Sequence, residues 1–175
     1  RGAAFVAEAL TLPGESTLAE QMDVVDPDAL HAARNALRRH LAEELEGELS
    51  GLYAALAVNE PYAPSSEQAG RRALRNVCLA YLLELDTEES RQLALTQFEC
   101  ADNMTDQFAA LSALANVNAE DCPQRDTALA AFYQRWQHEA LVVDKWLSAQ
   151  STSRRPDTLA TVKALTAHPA FDTTN

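Results

Sequence analysis

The sequence predicts an all-α protein, built as an irregular stack of antiparallel helical hairpins, and three observations carry that expectation. Of 175 residues, 47% are hydrophobic, with only 5 Gly and 7 Pro, and Ala and Leu dominate, a composition that favours helix. Apolar residues recur every three or four positions over long stretches. The breaks between those stretches are short, which sets successive helices side by side. The expected architecture is a right-handed, HEAT/armadillo-like α-solenoid of eight or nine helices, irregular because no self-similar period is visible. A chain of this length suits one domain, 1–175, and buries about 70% of the surface its unfolded form exposes.

Residues 2–10 form a short Ala-rich helix, stopped by Thr11-Leu12-Pro13-Gly14 because proline restricts its predecessor and glycine accepts a turn. Ser16 caps a brief helix to about Met22. Asp26-Pro27 then starts the longest helix, whose apolar stripe runs Leu30, Ala33, Leu37, Leu41, Leu45, Leu49, Leu52 and Leu56. Its opposite face, with Arg34, Arg38, Glu43, Glu44, Glu46 and Glu48, suits water, and Arg39–Glu43 is an i,i+4 pair. Gly47 and Gly51 inside it point to a bend or a close helix contact.

After the loop from Asn59 to Ser66, a second long helix spans about Glu67 to Leu85 on the apolar positions Ala73, Val77, Ala80, Tyr81 and Leu83. Asp86-Thr87-Glu88-Glu89 starts the next, and Leu93, Leu95 and Phe98 lead to a corner at Ala101-Asp102-Asn103. Thr105 is the expected N-cap of the following run, Phe108, Leu111 and Leu114. That helix, to about Val117, is expected to be buried all round. A break over 118–123 precedes a helix from Pro123 to His138 presenting Leu129, Phe132, Tyr133 and Trp136. Another break near His138 and Glu139 leads to Leu141–Gln150, with Val143 and Trp146. The Ser151–Pro156 loop and a last helix from Asp157 to Ala167 follow.

A formal net charge of −12 opposes a nucleic-acid partner, because phosphate binding needs cations that the rest of the chain does not outweigh. The groups Arg34, Arg38, Arg39 and Arg71, Arg72, Arg75 are read as solvated helix faces. Cys78, Cys100 and Cys122 form no CxxC pair and read as reduced, buried thiols of a cytoplasmic protein. Apolar runs such as Val77–Leu83 fall far short of the ~20 residues that cross a bilayer. Arg1-Gly2-Ala3-Ala4-Phe5 has no initiator Met and no signal layout, so the chain is expected to be a piece of something longer.

Catalytic patterns are incomplete. His138-Glu139-Ala140-Leu141-Val142 begins like the zinc-protease motif but has Val142 where the second histidine ligand belongs. Asp28-x-x-His31 lacks the glutamates of a di-metal bundle, and a first-turn carboxylate is already explained by the helix dipole. Gly2, Gly14, Gly47, Gly51 and Gly70 are too scattered for a phosphate loop. Cys78 and Cys100 have no local base to activate a thiol. Phe132, Tyr133, Trp136 and Trp146 read as core anchors. His31, His40, His138 and His168 are read as lying on separate helices without shared spacing. Cys100, Asp102, Asn103 and Asp106 serve the corner as stop, cap and first-turn acid. No catalytic, cofactor-binding or metal-binding residue is assigned.

Arg71-Arg72-Ala73-Leu74-Arg75-Asn76-Val77-Cys78-Leu79, Gln97-Phe98 through Ala101-Asp102-Asn103-Met104-Thr105-Asp106, and Leu141-Val142-Val143-Asp144-Lys145-Trp146 resemble the C-terminal helical region of the bacterial aminopeptidase N family. Asp26-Pro27 and the stretch from Pro156 to Phe171 are similar to the same family in the same order. The resemblance implies a fragment of a gluzincin zinc aminopeptidase that releases N-terminal amino acids from peptides. It further implies zinc in the parent's catalytic domain and a helical domain that covers that catalytic domain and filters peptide access. Neither His-Glu-x-x-His nor Gly-x-Met-Glu-Asn occurs, so no zinc or catalytic residue carries over and the chain alone is expected to be inactive. In the family, more helix follows the position of Asp172–Asn175. The implied partners are the catalytic domain of the same polypeptide and the parent's peptide substrates, with homo-oligomers of the isolated fragment a further expectation. The competing reading is a freestanding helical-repeat scaffold that binds a partner protein.

Overall fold

The computed structural model describes residues 2–57 and 60–172. Among these the chain is all-α, with ten helices rather than eight or nine. It divides into two compact units, Arg1–Leu85 and Asp86–Asn175. The expectations placed on Arg1, Asn59 and Thr173–Asn175 fall outside the described residues.

The first unit contains α1 (Ala3–Leu10), α2 (Glu15–Ala19), α3 (Pro27–Glu44), α4 (Glu46–Ala55) and α5 (Ser66–Leu82), closed by a 3₁₀ turn at Leu83–Leu85. Asp26 caps α3 as its sequence predicts, accepting from the Ala29 N–H at 3.0 Å. Gly14, not Ser16, occupies the N-cap of α2, and no side chain bonds there. The extra helix arises where one long helix was expected. Leu45 leaves helical geometry (φ −110°, ψ 14°) and separates α3 from α4. An added Cβ at Gly47 or Gly51 would meet nothing within 4 Å, so these glycines accompany a bend and not a close helix contact.

Helix α5 is the centre of this unit, packed by α1, α3 and α4 over Leu74, Cys78, Leu79, Tyr81 and Leu82, all buried. Ala73, expected on the apolar face, is exposed. Gly70 permits the closest approach: a Cβ there would lie 3.1 Å from the Ala4 backbone nitrogen. At the other end of α1, Tyr81 donates its hydroxyl to the Leu10 carbonyl at 2.6 Å. Contacts that advance together along both helices make α1 and α5 run parallel. Gly70→Leu is therefore expected to displace α1 while the rest of α5 stays helical. Hydrogen exchange would show it as lost protection of the Val6 and Ala7 amides.

Four arginines of the arginine-rich faces correct the sequence reading, while Arg39 stays exposed and pairs with Glu43 at 2.9 Å as expected. Arg34 donates to the Pro13 carbonyl at 2.8 Å and Arg38 pairs with Glu84 at 2.8 Å beside the Tyr81 ring, while Leu37 is 46% exposed. Arg72 is buried, bonds Gln68 Oε1 and the Ala63 carbonyl and stacks on Tyr62. Arg75 lies 4.2 Å from the Tyr53 ring centre. These cations are spent on carbonyls, a carboxylate and aromatic faces, each of which compensates a desolvated guanidinium.

The second unit contains α6 (Glu88–Cys100), α7 (Met104–Ala115), α8 (Pro123–Trp136), α9 (Ala140–Ser151) and α10 (Thr158–Leu165). Asp86, just before α6, has φ 54°, a region that Asp tolerates better than most residues. Its carboxylate and carbonyl both accept from Arg91 at 2.8 Å, and Thr87 caps the Ser90 N–H. At the corner the N-cap is Asn103, not Thr105, because the Asn103 carboxamide oxygen reaches the Asp106 N–H at 2.9 Å. Gln97 donates across to the Asp106 carbonyl and Gln107 back to the Phe98 carbonyl. These reciprocal bonds about a short turn make α6 and α7 antiparallel. Helix α7 is central, with Ala110, Leu111, Leu114 and Ala115 buried and Phe108 half-buried. Phe132 of α8 fills the core between Phe98 and Phe108, with ring centres at 6.4 and 6.3 Å. Trp146 of α9 donates its indole N–H to the Leu129 carbonyl at 3.0 Å, which satisfies its polar edge while its ring packs.

Candidate functional site

The sequence-derived candidates do not converge. His138 and Glu139 are exposed at the turn between α8 and α9, and Val142 is half-buried. Asp28 is exposed in the first turn of α3. His31 meets Glu15 instead, Nδ1 to Oε1 at 2.8 Å, and its Nε2 lies 2.8 Å from Asn35 Nδ2. His31 and His40 share α3, correcting the expectation of separate helices, but nine residues place them on opposite faces. His168 packs on Tyr133 and Trp146 at 4.9 and 5.2 Å. Among the described residues no three His, Cys, Asp or Glu side chains are placed to hold a metal ion.

The thiols differ from expectation in one respect: Cys78 and Cys122 are buried, whereas Cys100 is exposed. Burial pushes the Cys78 and Cys122 thiols up, away from the thiolate that a nucleophile requires. At the corner, Asn103 Nδ2 donates to Asp102 Oδ1 and Asp106 Oδ2, both at 2.9 Å. These polar residues hold the turn.

A cluster of polar contacts in the second unit lies in the loop just after α7. The loop that follows α7 has backbone carbonyls outside any helix, which need donors when desolvated, and here two arginines supply them. Arg125 Nη1 donates to the carbonyls of Val117 and Ala119 at 3.3 and 3.0 Å, and its Nη2 to that of Glu120 at 3.3 Å. Arg155 Nη1 reaches the same Val117 and Ala119 carbonyls at 2.6 and 3.2 Å. Ser153 donates to the Ala115 carbonyl at 2.8 Å, and Asn116 Oδ1 accepts from the Arg154 N–H at 2.9 Å. The start of α8 and the loop before α10 are thereby stapled to the end of α7 and the loop that follows it.

Each arginine carries its own counter-charge. Arg125 Nε donates to Asp126 at 3.1 Å, and Arg155 grips Asp157 through two bonds of 2.9 and 2.7 Å. Beside them opens a cleft of about 210 Å³, also lined by Leu129, Gln150, Thr158 and Thr161. The hydrogen bond from Arg155 holds the Asp157 carboxyl below its usual range. A lowered folded-state value stabilises the fold above the ordinary carboxylate pKa, and that stabilisation is lost as pH falls through the folded value. A carboxyl-detected NMR titration is expected to give Asp157 a midpoint below ordinary aspartate, returning toward it in Arg155→Ala.

Sequence reasoning passed over Arg125 and Arg155, although one signal was available. Arg125 stands in the first turn of α8, where the helix dipole disfavours a cation, so its presence marks a second use. For Arg155, paired with a carbonyl 38 residues away, no local pattern carries the information.

Among the described residues, ten helices joined by short turns, each packed on its neighbours in the chain or close to it, are the arrangement of a helical-repeat domain. The chain belongs to the family described as "Domain of unknown function (DUF3458_C) ARM repeats", which matches residues 1–175. It is 40% identical over 172 residues to aminopeptidase N of Escherichia coli (strain K12), covering 98% of this chain and 19% of that protein. Identity to aminopeptidase N of Caulobacter vibrioides is 39%, covering 98% and 20%. The crystal structure of Legionella pneumophila aminopeptidase A in complex with aspartic acid superposes with a TM-score of 0.82 at 32% identity, over 98% of this chain and 21% of that one. The chain thus spans about a fifth of the length of these relatives and corresponds to the C-terminal helical domain of aminopeptidase N homologues.

Proposed function

We propose that this chain is the non-catalytic helical domain of a larger zinc-dependent aminopeptidase, one that releases N-terminal amino acids from peptides in the cytoplasm. Its partner is the catalytic domain of the same polypeptide, which it covers, restricting the peptides that reach the zinc. Both compact units belong to this one domain. The match of nearly the whole chain to about a fifth of aminopeptidase N carries the reading. The residues present do not fit zinc: the only His-Glu start, at His138, offers Val142 in place of a ligand, and the described residues form no ligand cluster. The metal belongs to the remainder of the parent. Val24, Leu141 and Leu159, at 83%, 80% and 67% exposure, are apolar side chains suited to covering by other parts of the polypeptide or, in the isolated chain, by a second copy.

The purified chain with added zinc is expected to leave an aminoacyl p-nitroanilide uncleaved. Turnover that follows the chain through purification would overturn the reading.

A further inference from the structure

We infer that the cleft beside Arg125 and Arg155 is a binding site for a free α-amino acid with a short side chain. Its charges are balanced, two guanidiniums against the carboxylates of Asp126 and Asp157, so neither a bare anion nor a bare cation finds a net opposite charge. A zwitterion does find a match. The Arg155–Asp157 pair presents opposite charges 2.7 Å apart, and an α-amino acid carries its ammonium and carboxylate on one carbon. Laid head to tail across that pair, its carboxylate meets the guanidinium and its ammonium meets Asp157, with charge-assisted bonds on both sides.

Hydrogen-bonding capacity remains for such a ligand. Nη2 of Arg125 and Nη2 of Arg155 each make one bond to the described residues and carry a second N–H. Asp126 uses one carboxylate oxygen, and its side chain is 68% exposed. Thr161 lines the cleft, and its hydroxyl has no partner among the described residues. The base is formed by Arg125, which is 8% exposed and fixed by carbonyls on three residues, so the site is preorganised. Leu129 and Ala115 supply a small apolar wall. At about 210 Å³ the cleft is smaller than drug-sized pockets of roughly 300–1,000 Å³, a size suited to a small ligand. The amino acid is the product class of the exopeptidase proposed above, and the inference leans on that reading only for biological context. Binding is measured without turnover, so the two can fail separately.

The test is a ¹⁵N-HSQC titration of the chain with L-alanine, alongside L-alaninamide and N-acetyl-L-alanine, which lack the carboxylate and the ammonium respectively. Saturable shifts centred on Gln150, Ser153, Thr158 and Thr161 are expected for L-alanine, with each blocked analogue at least ten-fold weaker. Thr161→Val is expected to weaken binding about five-fold while leaving the thermal midpoint unchanged, because its hydroxyl bonds nothing in the fold. Asp157→Asn is expected to abolish the preference for L-alanine over N-acetyl-L-alanine. Absence of saturable shifts, shifts centred elsewhere, or equal response to either blocked analogue would overturn the inference.

Discussion

Arg125→Met is expected to destabilise the chain by about 3 kcal/mol, a loss in the range found for removing buried, charge-assisted hydrogen bonds. For a chain of this size, that corresponds to a fall of about 9 °C in thermal midpoint. Methionine retains much of the stem's packing, so the loss reports the carbonyls left behind. Arg155 still reaches the Val117 and Ala119 carbonyls, whereas the bond to Glu120 from Arg125 has no substitute. The double variant Arg125→Met/Arg155→Met is expected to cost more than the two single changes together, because the guanidiniums share two acceptors and each covers for the other. Differential scanning calorimetry of the four proteins of this cycle checks both points, and strict additivity would contradict the shared staple.

Phe132→Ala is expected to cost about 4 kcal/mol, within the range for buried phenylalanine truncation. Phe132 is 1% exposed and touches α6 through Phe98 and α7 through Phe108, so the cavity opens where three helices meet. Their backbones are fixed on either side by the corner bonds of Gln97 and Gln107, which limits collapse into the void. Urea denaturation is the measurement. Phe132→Leu keeps most of the volume and is expected to lose less than half as much.

How much of this could be read from the chain depended on whether the information was local. The Asp26-Pro27 start, the Thr87 turn, the short corner and the breaks at 118–123 and near Glu139 each carry their reason within a few residues. They appear where the sequence puts them. The corner cap moved from Thr105 to Asn103 because neighbouring Asn and Thr compete for the same orphan amides, and only the backbone path decides. The Leu45 break escaped because the apolar repeat continues through it unchanged. The arginines were the larger loss. A surface face and a face turned toward carbonyls have the same periodicity, so Arg34, Arg38 and Arg72 read as solvated while serving Pro13, Glu84 and Ala63. The cleft was illegible for the same reason, since it joins the start of α8 to a loop some 30 residues later. By contrast, the aminopeptidase N likeness was carried by blocks such as Arg71–Leu79 and Leu141–Trp146, which are contiguous in the sequence and contain no catalytic motif.

The most direct measurement of the central proposal mixes this chain with the remainder of the aminopeptidase proposed as its parent, expressed without it, and follows both association and peptide-length preference. A one-to-one complex is expected by light scattering. Cleavage of a short aminoacyl amide should change little on mixing, while cleavage of long peptides should fall several-fold as the helical domain restricts entry. Failure of the two parts to associate, or association that leaves the ratio of long to short cleavage unchanged, would contradict a covering and filtering role.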